Sequence, residues 1–263
     1  MTKLERLQKR KRKLVVGLIS GTSADGIDAV LVTIADTGEA TRIKQHAFAS
    51  YPYPRRFRDW LLGNSQPGNG SVDQTCVLNI LSAHFFADAV KKLARKAGVE
   101  LSHIDLIGSH GQSIHHIPEE RKIFGKKVRS TLQIGDPSTI AKLTGVVTVG
   151  DFRTADMAVG GQGAPLVPFL DYILFRSKKK SRLLLNLGGI ANITALPKDC
   201  SIENVSAFDT GPGNMIVDGL MKKLYNRPFD RGGKVAKSGS VIPALINWMT
   251  RLNYFDQRPP KST

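Results

Sequence analysis

The strongest constraint on this chain is residues 17–34, GLISGTSADGIDAVLVTI, where an apolar run stops at a glycine-rich polar turn and then resumes. Residues 15–19 and 27–34 are rich in β-branched side chains and read as two strands of a hairpin. At its tip Gly21 and Gly26 bracket Thr22, Ser23 and Asp25. Glycines let a backbone approach a ligand closely, and successive N–H groups in such a turn make a concave anion site, to which the hydroxyls of Ser20, Thr22 and Ser23 add donors. Phosphate is the natural guest. Asp25 and Asp28 would repel it, so they either face a Mg2+ ion set against the phosphate or turn away to brace the turn. A plain structural hairpin also accounts for this stretch when it is taken alone.

Composition narrows the class. The 263 residues suffice for one large or two ordinary domains, and no low-complexity tract interrupts them. The formal net charge of +16 is spread over several basic clusters without a nucleic-acid-binding motif, so a solvated surface or attraction to anionic metabolites is the expectation, with no nucleic-acid partner. Two isolated cysteines, Cys76 and Cys200, offer neither a disulfide framework nor a zinc site, and no stretch is apolar enough for a bilayer span. The cytoplasm is the expected compartment, with no membrane partner.

Along the chain, residues 41–50 read as a further strand of the same sheet and 54–62 as a short helix. Ser71 and Gln74 form a capping box for a long helix whose apolar positions are Val77, Ile80, Leu81, Phe85, Val90 and Leu93, closed by Gly98. Residues 104–108 form a strand that delivers Ser109, His110, Gly111, Gln112 and Ser113 to its C-terminal end, where open α/β sheets place ligands. Residues 131–134 are another strand, Asp136-Pro137 starts a helix ended by Gly145, and 146–149 are a buried strand. That strand runs into Gly150, Asp151, Phe152 and Arg153, then a glycine-rich loop. Asp151 is either a general base or a partner of Arg153 or of the next turn. Residues 182–187 and 190–196 repeat the hairpin plan around Gly188-Gly189, with Asn186 and Asn192 beside it. The repetition implies two related lobes clamping a phosphate chain. Asp209, Thr210, Gly211, Pro212, Gly213 and Asn214 supply a third glycine-rich loop before a helix over 215–225, with free N–H groups for an anion or sugar hydroxyl. Residues 242–254 read as the last helix.

Taken together, GTSADGID (21–28), SHGQ (109–112), GDFR (150–153), GGQGAPLVP (160–168), NLGGIANIT (186–194) and FDTGPGN (208–214) resemble the anhydro-N-acetylmuramic acid kinases of the actin-like sugar kinase superfamily. The resemblance runs from about residue 14 to the last residue. It implies a two-lobed α/β fold of the actin-like ATPase (ribonuclease H-like) type with an incomplete second lobe. The domains are a basic extension (1–13), a first lobe (14–145) and a second lobe (146–263). The implied activity is ATP-dependent opening of the 1,6-anhydro ring by water with phosphorylation of O6, giving N-acetylmuramic acid 6-phosphate. The alternatives are an inactive sugar- or nucleotide-binding fragment and a kinase for another amino sugar. In this reading Asp151 is the base, and Gly21, Thr22, Ser23, Ala24, Asp25, Gly26, Ile27 and Asp28 hold the ATP phosphates. Asp25 reaches Mg2+ through water. Asn186, Gly188, Gly189 and Asn192, with Gly211, Gly213 and Asn214, close on the phosphates, while His110, Gln112, Arg153 and Asp156 hold the sugar and its lactyl carboxylate. A homodimer is compatible with the family. Ala24, Ser113 and Asp171 depart from its usual pattern, Asp171 standing where a histidine is expected.

Overall fold

In the computed structural model residues 3–259 are described; the first two residues of the expected basic extension and residues 260–263 of the expected terminal loop lie outside the described residues. Packing divides the chain into two compact units, one ending at Ala164 and one beginning at Pro165.

In the first unit helix α1 (Lys3–Lys9) precedes β1 (Arg12–Ser20), which pairs antiparallel with β2 (Gly26–Ala35) from Arg12↔Ala35 to Ile19↔Asp28. Strand β3 (Arg42–Pro52) extends the meander on β2, and helix α2 (Arg55–Asn64) follows. Helix α3 (Val72–Lys96) begins with Ser71 accepting the Gln74 N–H at 3.2 Å. Only half of the expected capping box forms. Gln74 Oε1 accepts instead from Trp60 Nε1, and the Ser71 N–H donates to Asn64 Oδ1. Of the expected apolar positions of α3, Val90 and Leu93 are buried and Leu81 and Phe85 pack against the core, while Val77 and Ile80 are exposed; Leu78, Ala83 and Phe86 complete the buried face. Small side chains at Ser82, Ala83 and Ala87 let the helix lie close against the apolar face formed by Val16, Leu18, Leu31 and Ile107.

The chain then returns as β4 (Leu106–Ile123), parallel to β1, and turns back as β5 (Lys126–Ile134). Here the structure corrects the sequence reading twice. The polar segment 109–113 does not lie beyond a strand end but inside β4, and β5 starts at Lys126 rather than Thr131. Backbone partners on both sides explain this: β1 flanks β4 through Ser20↔Gln112, and β5 flanks it from Gln112↔Ile134 onward. Helix α4 (Pro137–Thr144) is capped as expected, Asp136 Oδ1 accepting the Thr139 N–H at 2.6 Å and Gly145 adopting φ +71°. The expected strand 146–149 shrinks to β6 (Thr148–Val149), which pairs parallel with Ile107 and Gly108 of β4. Helix α5 (Phe152–Ala158) follows. The sheet order is β3-β2-β1-β4-β5, with β6 also on β4. With β6 paired to β4 and α5 against β5, the first compact unit runs to Ala164.

In the second unit helix α6 (Val167–Phe175) leads into β7 (Arg182–Leu187), β8 (Ile190–Leu196) and β9 (Ser206–Pro212), an antiparallel sheet in the order β7-β8-β9. The expected loop over 209–214 is thus mostly strand. Helix α7 (Asn214–Tyr225), α8 (Lys234–Ser238), α9 (Pro243–Met249) and α10 (Asn253–Asp256) complete it. The expected single helix over 242–254 is broken at residues 250–252. Among the described residues, no helix is long and apolar enough to cross a membrane.

Candidate active site

The tip between β1 and β2 is an exposed turn over Gly21, Thr22 and Ser23, tied down from below. The Ala24 N–H donates to Gly21 O at 3.0 Å, and Ala24, at φ +50°, buries its methyl in the core. Ile27 is likewise a core residue, so these two anchor the turn with their side chains. Gly26 permits close strand approach, since a Cβ there would lie 2.7 Å from Pro52 Cα. Gln112 is the central brace. Its buried amide donates to Gly21 O and Ser113 O at 3.1 Å each, and its Oε1 lies 2.5 Å from Ser20 Oγ, which also reaches Gly26 O at 2.7 Å. The N–H groups of Thr22 and Ser23 have no hydrogen-bond partner among the described residues. The two carboxylates have partners of their own: Asp25 pairs with Arg58 at 2.7 Å, and Asp28 accepts from Ser50 Oγ at 2.5 Å. Arg58, which sequence reasoning missed, also donates to Ser23 O at 3.2 Å. Beside the tip a cavity of about 250 Å³ is lined by Thr22, Gln112, Ser113, His115 and His116, together with α2 residues.

Asp151 stands between β6 and α5 with φ +59°, exposed to solvent. Gly150 before it is required, because a Cβ would fall 2.5 Å from Pro137 Cγ. Asp151 Oδ1 accepts from the Thr154 hydroxyl, and Oδ2 has no partner among the described residues. It does not pair with Arg153. That guanidinium donates through Nε to His110 Nε2 at 2.8 Å and through Nη1 to Gly163 O at 2.5 Å. Asp156 Oδ2 accepts the Gly163 N–H at 2.7 Å, and Arg129 Nη1 donates to Gly160 O. The glycine loop 160–163 is therefore clamped by three side chains, of which Arg129 carried no sequence signal. Since Nε2 of His110 accepts from Arg153, its proton sits on Nδ1, 3.1 Å from the Gly111 carbonyl. Burial lowers the His110 pKa, and the Arg153 charge adds to this while the Gly111 bond opposes it; burial and the same charge also lower that of His116.

In the second unit the turn Gly188-Gly189 closes β7 and β8, bringing Asn186 opposite Asn192. Its carbonyls are taken: Gly213 and Met215 N–H donate to Gly189 O at 2.8 and 3.2 Å, and Asn214 N–H to Gly188 O at 2.9 Å. The N–H groups of Gly213, Asn214 and Met215 at the start of α7 are thus partnered, and Asn214 Nδ2 donates to Leu187 O at 3.0 Å. Gly211 is buried at φ +135°. Asp171 has a packing role, accepting from Thr194 Oγ1 at 2.7 Å between α6 and β8.

An exposed glycine tip on β1 and β2, with a carboxylate after β6 in the same mixed sheet, is the kind of strand-end arrangement at which α/β proteins hold ligands. Comparison with known proteins narrows this. The family model for anhydro-N-acetylmuramic acid kinase matches residues 13–263. The chain is 47% identical over 265 residues to the anhydro-N-acetylmuramic acid kinase of Caldanaerobacter subterraneus subsp. tengcongensis, covering 100% of this chain and 67% of that protein. It is 45% identical to that of Salinibacter ruber (100% and 66% covered) and 44% identical to that of Clostridioides difficile (94% and 64%). The chain belongs to the anhydro-N-acetylmuramic acid kinase family, and it spans about two thirds of the length of these relatives.

Proposed function

We propose that the protein is an ATP-dependent kinase that opens 1,6-anhydro-N-acetylmuramic acid with water and phosphorylates O6. The observation that carries this reading is Asp151: a solvent-facing carboxylate beside a clamped glycine loop, with Oδ2 left for a water molecule, in a chain of this family. Asp151 takes a proton from water as the water oxygen attacks C1. The C1–O6 bond breaks, O6 keeps the electron pair and attacks the γ-phosphorus, and ADP departs. Thr22 and Ser23 N–H groups hold phosphate oxygens, and Gly188, Gly189, Asn186 and Asn192 are assigned to the nucleotide from the second unit. Gln112 acts by fixing the tip. Arg153, His110 and Asp156 shape the sugar side through the loop 160–163, and the cavity lined by Ser113, His115 and His116 adjoins Thr22. Asp25 is committed to Arg58, and the described residues hold no group of three acids, histidines or cysteines suited to a metal. The donors do not make a protein-held cation site, so Mg2+ would enter only as an ion carried by the nucleotide.

The fold behind this reading is a duplicated actin-like one. Both units carry a glycine-tipped hairpin, a third antiparallel strand and a following helix, and the first adds parallel β4 and β6. Turnover in 18O-labelled water tests the chemistry. Hydrolytic opening places one 18O on C1 of the sugar 6-phosphate and none in the phosphate. Label in the phosphate, or phosphorylation of the open-ring sugar alone, would replace this reading with simple hydrolysis of ATP or with a kinase for another amino sugar.

A further inference from the structure

Strand β1 has nine residues, so at about 3.3 Å per residue its two ends lie roughly 26 Å apart. Its last residue meets the glycine tip. Around its first residues a second cavity opens, of about 630 Å³, within the size range of small-molecule sites. The floor is apolar, formed by Leu14, Leu31, Ala97 and Val99, and the rim carries Arg10, Arg12 and Lys13 with His46 and His103. Its single carboxylate is already engaged, Asp105 Oδ2 accepting the Leu14 N–H at 2.9 Å and Oδ1 pairing with Arg10. Lys13 Nζ donates to the Arg10 carbonyl at 2.7 Å, which leaves its charge unbalanced, and the Arg12 guanidinium makes no hydrogen bond or ion pair among the described residues. Thr33 Oγ1 and His46 Nε2, 2.6 Å apart, add polar groups to the wall.

Two uncompensated cations over an apolar floor define a ligand with an anionic head and an apolar body. We propose that this cavity binds a small organic phosphate or carboxylate, its head held by Arg12 and Lys13 and its body resting on Leu14 and Val99. The site is independent of the kinase chemistry, because neither the glycine tip nor Asp151 contributes to it.

Amide-resolved NMR titration of the full chain with phenyl phosphate and with inorganic phosphate, in physiological salt, tests the proposal. The expected result is saturable shifts at Thr33, Val99 and Asp105, with phenyl phosphate binding about ten-fold more tightly than inorganic phosphate because its ring is buried. Arg12→Glu should weaken binding at least about ten-fold and Lys13→Gln a few-fold, with both folded spectra retained because the two side chains lie at the rim. Shifts confined to Thr22 and Ser23, shifts that do not saturate, equal affinity for the two phosphates, or unchanged binding in Arg12→Glu would each overturn it.

Discussion

The two glycine-tipped hairpins follow one sequence plan and end in different physical states. In the first, β1 is flanked by β2 and β4, its core residues are buried, and Gln112 braces the tip from the neighbouring strand, so Thr22 and Ser23 keep N–H groups for a ligand. In the second, β7 pairs only with β8 among the described residues, and Leu183, Leu185 and Leu187 are 70%, 59% and 62% exposed. There the turn carbonyls bind the start of α7. The two turns thus differ in what holds them: the first is braced from a neighbouring strand by Gln112, the second by the helix that follows it in the chain.

That contrast sets the scale of several substitutions. Leu31→Ala, at a fully buried position in the first unit, should cost about 2–5 kcal/mol in urea unfolding, whereas Leu185→Ala in the second should change stability by less than about 0.5 kcal/mol. Equal effects would remove the distinction between a flanked and an unflanked hairpin. Gly26→Ala forces a Cβ into the β3 backbone at Pro52 and should cost roughly 2–4 kcal/mol, measurable as a lowered unfolding midpoint. Gln112→Leu keeps the volume but removes one of the two bonds made by each of the Gly21 carbonyl and the Ser20 hydroxyl; a loss of about 1–2 kcal/mol and weaker nucleotide binding by titration calorimetry are expected. Unchanged nucleotide affinity in this variant would show that the brace does not serve the tip.

The smallest expected effect concerns pH. His110 has a lowered pKa in the folded chain, so the unfolded chain binds the proton more readily. Its contribution to stability is complete above 6.5, the ordinary value, and is lost as pH falls from there through the lowered folded value. Unfolding measured at pH 7.5 and 5.5 should show this decline, and His110→Asn should reduce it. The second unit, lacking this network, should not share that component.

The elements legible in the sequence are those fixed by local chemistry. The run of β-branched residues around Gly21 and Gly26 announces the first hairpin, and Asp136-Pro137 with Gly145 announces both ends of α4, because these depend on neighbours in sequence. Strand β4 was hidden because Ser109, His110 and Gln112 look like a loop until β1 and β5 are in place on either side; Gly111, at φ +72°, marks the irregularity within it. The orientation of α3 depended on Ala83 and Ala87, whose small size matters only against a sheet. For the site, Asp151, His110 and Arg153 were legible as residues, but their division of labour was not. Arg153 turns to His110 and Gly163 while Thr154 takes Asp151, and Arg58 and Arg129 enter from distant segments with no motif of their own.

The most direct test of the kinase reading is phosphoryl transfer from ATP to 1,6-anhydro-N-acetylmuramic acid by the purified chain, run beside Asp151→Asn. The account predicts sugar 6-phosphate from the wild type and a fall of at least about a hundred-fold in the variant, with its fold intact by circular dichroism. Turnover undiminished in Asp151→Asn would contradict the assignment of the base, and no turnover by a folded wild-type chain would contradict the proposed activity itself.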